Sequence, residues 1–284
     1  ANAIDQIGNP QPETIDHARS LISELPIAIK QAAREPYGAR AVIYSLVLDS
    51  GQVVRGRQLT HLQASADPDV FVLTQKLLPE LDGLDIKFRL PLIDIAIPAL
   101  QLSLDQYRAF RDNLIVLIEM DSQIDLLEWS LQKILFNHLD GQFFKRVHTT
   151  ARYSHLGQLK QETELILSVL AYAGQQNKSD IEAAFSAAVD TLEINELQLT
   201  AKNATQLSAL DRALQELEKL NPLAKQQLLK ACAASIVRDQ KIAPVEIELL
   251  RAFADALGCP MPPIVLSPQP VTGSSGQLID RKKA

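Results

Sequence analysis

Asp121-Ser122-Gln123-Ile124-Asp125-Leu126-Leu127-Glu128 and Asp239-Gln240-Lys241-Ile242-Ala243-Pro244-Val245-Glu246 both spell D-x-x-I-x-x-x-E. Each follows an apolar helical run, Leu114 to Ile118 and Cys232 to Val237. Each precedes another, Leu127, Leu131, Leu135, Leu139 and Val245, Leu249, Phe253, Leu257. Apolar residues recurring every three or four positions mark one face of a helix. The chain therefore contains the same device twice: a helix, a tight acidic corner and a second helix. These two hairpins are expected to form the core, with the remaining helices packed on them.

The acidic corners admit two chemistries. Asp121 to Glu128 resembles the second half of an EF-hand loop, which supplies oxygen ligands and a terminal bidentate Glu to calcium. The first half does not follow. Its ligand positions hold Leu117 and Glu119 in one copy and Ser235 and Val237 in the other, and the sharp-turn glycine is Ser122 or Gln240. A hard cation needs six or more oxygens, so a calcium site built on Asp121, Glu128, Asp239 and Glu246 is the poorer reading. In the structural one, Asp125 caps the second helix while Glu128 reaches back to it, a reciprocal pair of hydrogen bonds at a helix start. Glu246 holds the same place behind Pro244, and Ile124 and Ile242 plug the corners. Neither copy is assigned a metal, a cofactor or a catalytic role.

Outward from the corners the chain reads as helix after helix. Ile15, Ala18, Ile22 and Leu25 mark a first helix ending before Pro26, which suits the first turn of a second one through Arg34. Pro36-Tyr37-Gly38 reads as a break, followed by an apolar helix over Ala39 to Leu48. Val53-Val54 reads as a short strand. Asp67-Pro68-Asp69 starts a helix reaching Leu81, and Leu92, Ile95, Ala96 and Ala99 mark a short one. Ser103-x-x-Gln106 and Ser179-x-x-Glu182 are capping boxes, and Asn221-Pro222 is a cap followed by proline at the first helical position. Gly258 fits the left-handed residue that closes a last helix. The expected fold is all-α, about ten helices in two lobes, each built on one hairpin. The lobes span 4–140 and 158–266, with an irregular connection over 141–157. Ala1 to Ala3 reads as an expression scar and 267–284 as a disordered tail, so the chain is expected to be a fragment of a longer protein.

Leu and Ala dominate and aromatic residues are few, which favours helix over sheet. The net charge of −6 argues against a general nucleic-acid binder. The best membrane candidate, Leu90 to Leu100, carries Asp94 and is interrupted by Pro91 and Pro98; it falls short of the roughly 20 apolar residues a span needs. The two cysteines, Cys232 and Cys259, show no C-x-x-C spacing. Among the five histidines, no two lie four apart and no H-E-x-x-H is present. A zinc-protease helix needs that spacing to put two imidazoles on one face. No G-x-S-x-G, P-loop or G-x-G-x-x-G occurs. Lys145, Arg146, His148, Arg152 and His155 read as a solvated basic loop rather than an anion site, and Trp129 as core.

Several short runs, taken in order, carry a resemblance. They are Ile7-Gly8-x-Pro10, Leu25-Pro26, Pro36-Tyr37-Gly38-Ala39-Arg40-Ala41, Arg89-Leu90-Pro91-Leu92-Ile93-Asp94 and the two corners. Together, from about Ile7 to Pro263, they resemble the soluble C-terminal helical region of bacterial membrane-bound zinc metallopeptidases related to HtpX and the CAAX prenyl proteases. The corners also resemble tellurite-resistance TerB-like hairpins. The first resemblance implies a non-catalytic accessory region, regulatory, substrate-presenting or holding an assembly together. Its partners would be the catalytic and membrane domains of the parent, and protein substrates. It would lie at the cytoplasmic side of the bacterial inner membrane. Zinc is implied only for the parent's catalytic domain, because no catalytic or zinc-binding residue of that family maps onto a position here. The TerB-like resemblance implies instead a stand-alone ion, stress-response or protein-interaction module.

Overall fold

The structure is a computed structural model that describes residues 20–120, 125–144, 151–192, 194, 196–239 and 241–259. Asp121, Ile124, Gln240 and the basic residues Lys145, Arg146 and His148 lie outside the described residues, as do residues 1–3 and 267–284. The fold is all-α, with thirteen α-helices among the described residues where the periodicity suggests about ten. The first seven are α1 (20–24), α2 (Ile27–Ala32), α3 (Pro36–Val47), α4 (Gln52–Ser65), α5 (Pro68–Asp82), α6 (Arg89–Ala99) and α7 (Leu104–Glu119). After the first corner come α8 (Leu126–Phe143), α9 (Lys160–Gly174), α10 (Lys178–Val189), α11 (Leu207–Leu217) and α12 (Pro222–Val237). The second corner leads into α13 (Pro244–Ala256).

Three local expectations are overturned. Val53-Val54 is not a strand but the first turn of α4. Val53 is 78 % exposed and α4 buries only Gln58 and Leu62, so its one-sided pattern is too thin to read as a helix. The break between α2 and α3 falls before Pro36, but α3 opens at Pro36 rather than Ala39, since a proline in the first turn forfeits an N–H that has no helical partner anyway. Leu92, Ile95, Ala96 and Ala99 do fall on one helix, α6, which takes in Pro91 in its first turn and Pro98 in its last. Ser179 is inside α10, whose N-cap is Asn177. The Ser103 box at α7 is present, with Gln106 N–H donating to Ser103 Oγ at 3.2 Å and Ser103 N–H to Gln106 Oε1 at 2.9 Å.

One apolar cluster runs from Leu25 to Leu257. In the N-terminal half α3 packs on α2, α5, α6 and α7, and α4 crosses α7. Gly38 lets α3 start hard against the end of α2: a Cβ there would fall 2.2 Å from the Ala32 carbonyl oxygen. In the C-terminal half α9 packs on α10, α11 and α12. An isolated parallel bridge, Tyr153 to Leu220, pins the approach to α9 onto the turn before α12. The two helices that follow the corners, α8 and α13, lie together along their lengths. Each contacts the other more extensively than it contacts the helix before its own corner. Every residue of α13 from Glu246 to Asp255 is buried. The helix is thus enclosed on all sides, and its charged residues must find partners inside the protein.

Candidate functional site

At the first corner, Asp125 Oδ1 accepts from the Glu128 N–H at 2.8 Å, and Glu128 Oε2 accepts from the Asp125 N–H at 3.1 Å. Both carboxylates thereby hold backbone donors that the start of α8 leaves without helical partners. The second corner is built differently. Ala243 stands where Asp125 stands in the first, and a methyl group accepts nothing, so only half the exchange survives: Glu246 Oε2 accepts from the Ala243 N–H at 2.7 Å. Asp239 takes up the other donors, with one oxygen on the Lys241 N–H at 2.9 Å and the other on Gln175 Nε2 at 2.8 Å. Burial works to raise the Asp239 carboxyl, but these donations prevail and hold it below its usual range. Ile242 is half-buried against the core.

Glu246 is 2 % exposed and presses on the end of α9, where a Cβ at Gly174 would fall 1.8 Å from its Oε1. Burial pushes its pKa to about 7, with the Ala243 N–H opposing and Asp239 adding to the rise. This corner is therefore closed over by α9, and its acidic oxygens face backbone and side-chain donors of the protein.

A second cluster of charge, absent from the sequence reading, joins the two halves. Arg251 Nη2 lies 3.2 Å from Asp94 Oδ1 of α6, and Arg251 Nε lies 3.2 Å from Asp255 Oδ2 one turn along α13. His138 Nδ1 of α8 is 3.5 Å from the same Asp255 oxygen. Burial raises the Asp94 carboxyl, against the pull of Arg251 and His138. One turn toward the corner, Glu248 is 1 % exposed, and its Oε1 is 3.7 Å from Arg89 Nε. Neither Glu248 oxygen accepts a hydrogen bond. Burial pushes the Glu248 pKa to about 7, the Arg89 charge opposing and Asp125 adding to it. Arg89 also reaches the Leu127 carbonyl at 3.3 Å, where α8 begins. The available signal was Glu248, Arg251 and Asp255 recurring at helical spacing within an otherwise apolar helix. Trp129 is core, its indole N–H donating to Asp211 Oδ1 at 3.0 Å.

The described residues contain no group of three or more His, Cys, Asp or Glu placed to hold a metal ion. No helix among them is long and apolar enough to cross a membrane. No family model matches the chain, nor does any curated protein or any solved structure.

Proposed function

We propose that this chain is a non-catalytic accessory region of a membrane-bound zinc metallopeptidase, regulatory, substrate-presenting or assembling, carried on the cytoplasmic side of a bacterial inner membrane. What supports the reading is where the resembling residues meet. Arg89 and Asp94 come from the run Arg89–Asp94, and they pair with Glu248 and Arg251 on the helix behind the second corner. The Arg89–Asp94 run is thus fastened in one buried junction to the helix that the second corner introduces. Gly38, from the Pro36–Ala41 run, is where the start of α3 rests against the end of α2. The runs serve a scaffold, and a scaffold suits a partner domain better than a reaction centre. Zinc and the hydrolytic residues belong, in this reading, to the parent's catalytic domain. The test is the native gene. A reading frame continuing upstream into apolar spans and an H-E-x-x-H supports the proposal. A start codon immediately before Ile4 contradicts it and favours a stand-alone TerB-like module.

A further inference from the structure

Helices α3, α4, α5 and α7 frame a cavity of about 110 Å³ that opens to solvent and is lined by Arg40, Tyr44, Ser65, Asp67, Phe110 and Asn113 among others. That volume corresponds to about three or four water molecules. Arg40 is 7 % exposed, lies with its guanidinium 4.4 Å over the Tyr37 ring, and donates from Nε to the Pro36 carbonyl at 3.4 Å. Its two terminal nitrogens have neither hydrogen-bond nor ion-pair partner among the described residues. Neither nitrogen is sealed from solvent, so both remain available to a ligand.

The Tyr44 hydroxyl, 3 % exposed, accepts from Asn113 Nδ2 at 3.1 Å. The same Asn113 nitrogen lies 3.4 Å from the Ser65 carbonyl, which can only accept, and this fixes the orientation of the amide. The Tyr44 proton is therefore free to donate into the cavity. Burial pushes the Tyr44 pKa up to about 12, so that proton stays in place at neutral pH. Ser65 Oγ lies 3.1 Å from His61 Nε2, a pairing that suggests a nucleophile and its base. The geometry excludes it. His61 Nε2 sits 2.9 Å from Asn113 Oδ1 and must carry a proton to donate there, so it cannot accept one from Ser65. The cavity offers unpaired donors but no activated nucleophile.

We propose that this cavity binds a small amino carboxylate, its carboxylate held by the Arg40 guanidinium and the Tyr44 hydroxyl and its ammonium facing Asp67. Asp67 supplies the selectivity. Its Oδ1 caps α5 by accepting from the Asp69 N–H at 3.0 Å, and Asp67 is among the residues that line the same cavity. It opposes a bare anion and is offset by a ligand that also carries positive charge. Glycine is the smallest such ligand and fits the volume.

Calorimetric titration of the whole chain with glycine, sodium acetate and sodium phosphate, at neutral pH and matched ionic strength, tests this. Glycine is expected to bind saturably and more tightly than acetate, with phosphate weakest. Arg40→Met should abolish binding. Tyr44→Phe keeps the ring beside Phe110, 4.9 Å away, and should weaken binding about tenfold. Asp67→Asn preserves the cap and should erase the advantage of glycine over acetate. If Arg40→Met does not fold, Tyr44→Phe and Asp67→Asn carry the test. No saturable binding of glycine or acetate, tighter binding of phosphate, or unchanged affinity in the variants overturns the proposal.

Discussion

Gly174 and Glu246 meet where the second corner closes against α9. A methyl group at 174 would overlap Glu246 Oε1, Cδ and Cγ at 1.8, 2.4 and 3.0 Å. Glu246 cannot swing freely aside, because its other oxygen holds the Ala243 N–H. Gly174→Ala is therefore expected to cost about 1–3 kcal/mol, the usual range for overpacking a filled site. Glu246→Ala removes the obstacle together with the cap. The double variant should then be less destabilised than the sum of the singles, with a coupling of about 1 kcal/mol or more. Urea unfolding of the four proteins measures it, and strict additivity would show that the contact carries no energy. Ile242 is only half-buried, so its truncation should cost less than the loss of a fully buried branched residue, about 1–2 kcal/mol rather than the 2–5 of a deep core site.

Among the elements, α4 shows what periodicity can and cannot reveal. Helices whose apolar residues recur every four positions, such as α8 and α13, were legible because that spacing marks the buried face. α4 buries one leucine and one glutamine, and its two leading valines imitate a strand. Gln58 is nevertheless what fastens it. Oε1 accepts from the Asp49 N–H at 2.8 Å, and Nε2 donates to the Leu117 carbonyl at 2.9 Å, tying the end of α3 and the last turn of α7 to one side chain. Gln58→Leu should cost about 1–3 kcal/mol, because it strands a buried donor and acceptor. Chemical denaturation checks this, and a neutral substitution would contradict it. The corner caps were legible for a similar reason: Asp125 and Glu128 stand at capping-box spacing, and the bonds they make are local. The junction at Arg89, Asp94, Glu248 and Arg251 was not, since partners more than a hundred residues apart leave no local pattern.

For the whole molecule, the enclosure of α13 has a pH signature. The pKa of Glu248 and that of Glu246 are both raised from the ordinary 4.5 to about 7. Between those values the folded protein binds protons that the unfolded chain has released, so this contribution to stability is complete below about pH 4.5. It is lost as pH rises through 7. Glu248→Gln removes one such group. Relative to the parent sequence, its stability should improve by about 2–3 kcal/mol between pH 5 and pH 8, the amount a shift of that size implies at nearly full burial. Thermal unfolding across that range tests it, and parallel pH profiles for the two proteins would contradict it.

The central claim is that the twin acidic corners are structural. At the second, one oxygen of Glu246 and both of Asp239 are engaged by Ala243, Lys241 and Gln175, while at the first Asp125 and Glu128 hold each other's N–H groups. A cation would have to displace these donors. The most direct measurement is thermal unfolding of the chain and of its Glu128→Ala and Glu246→Ala variants, each with excess calcium and with chelator. The account predicts that for each protein the two curves superimpose, with both variants melting lower in either condition. A calcium-dependent rise in the melting temperature of the unsubstituted chain, abolished by Glu128→Ala, would contradict it, because a ligand that binds only the folded state must stabilise that state by mass action.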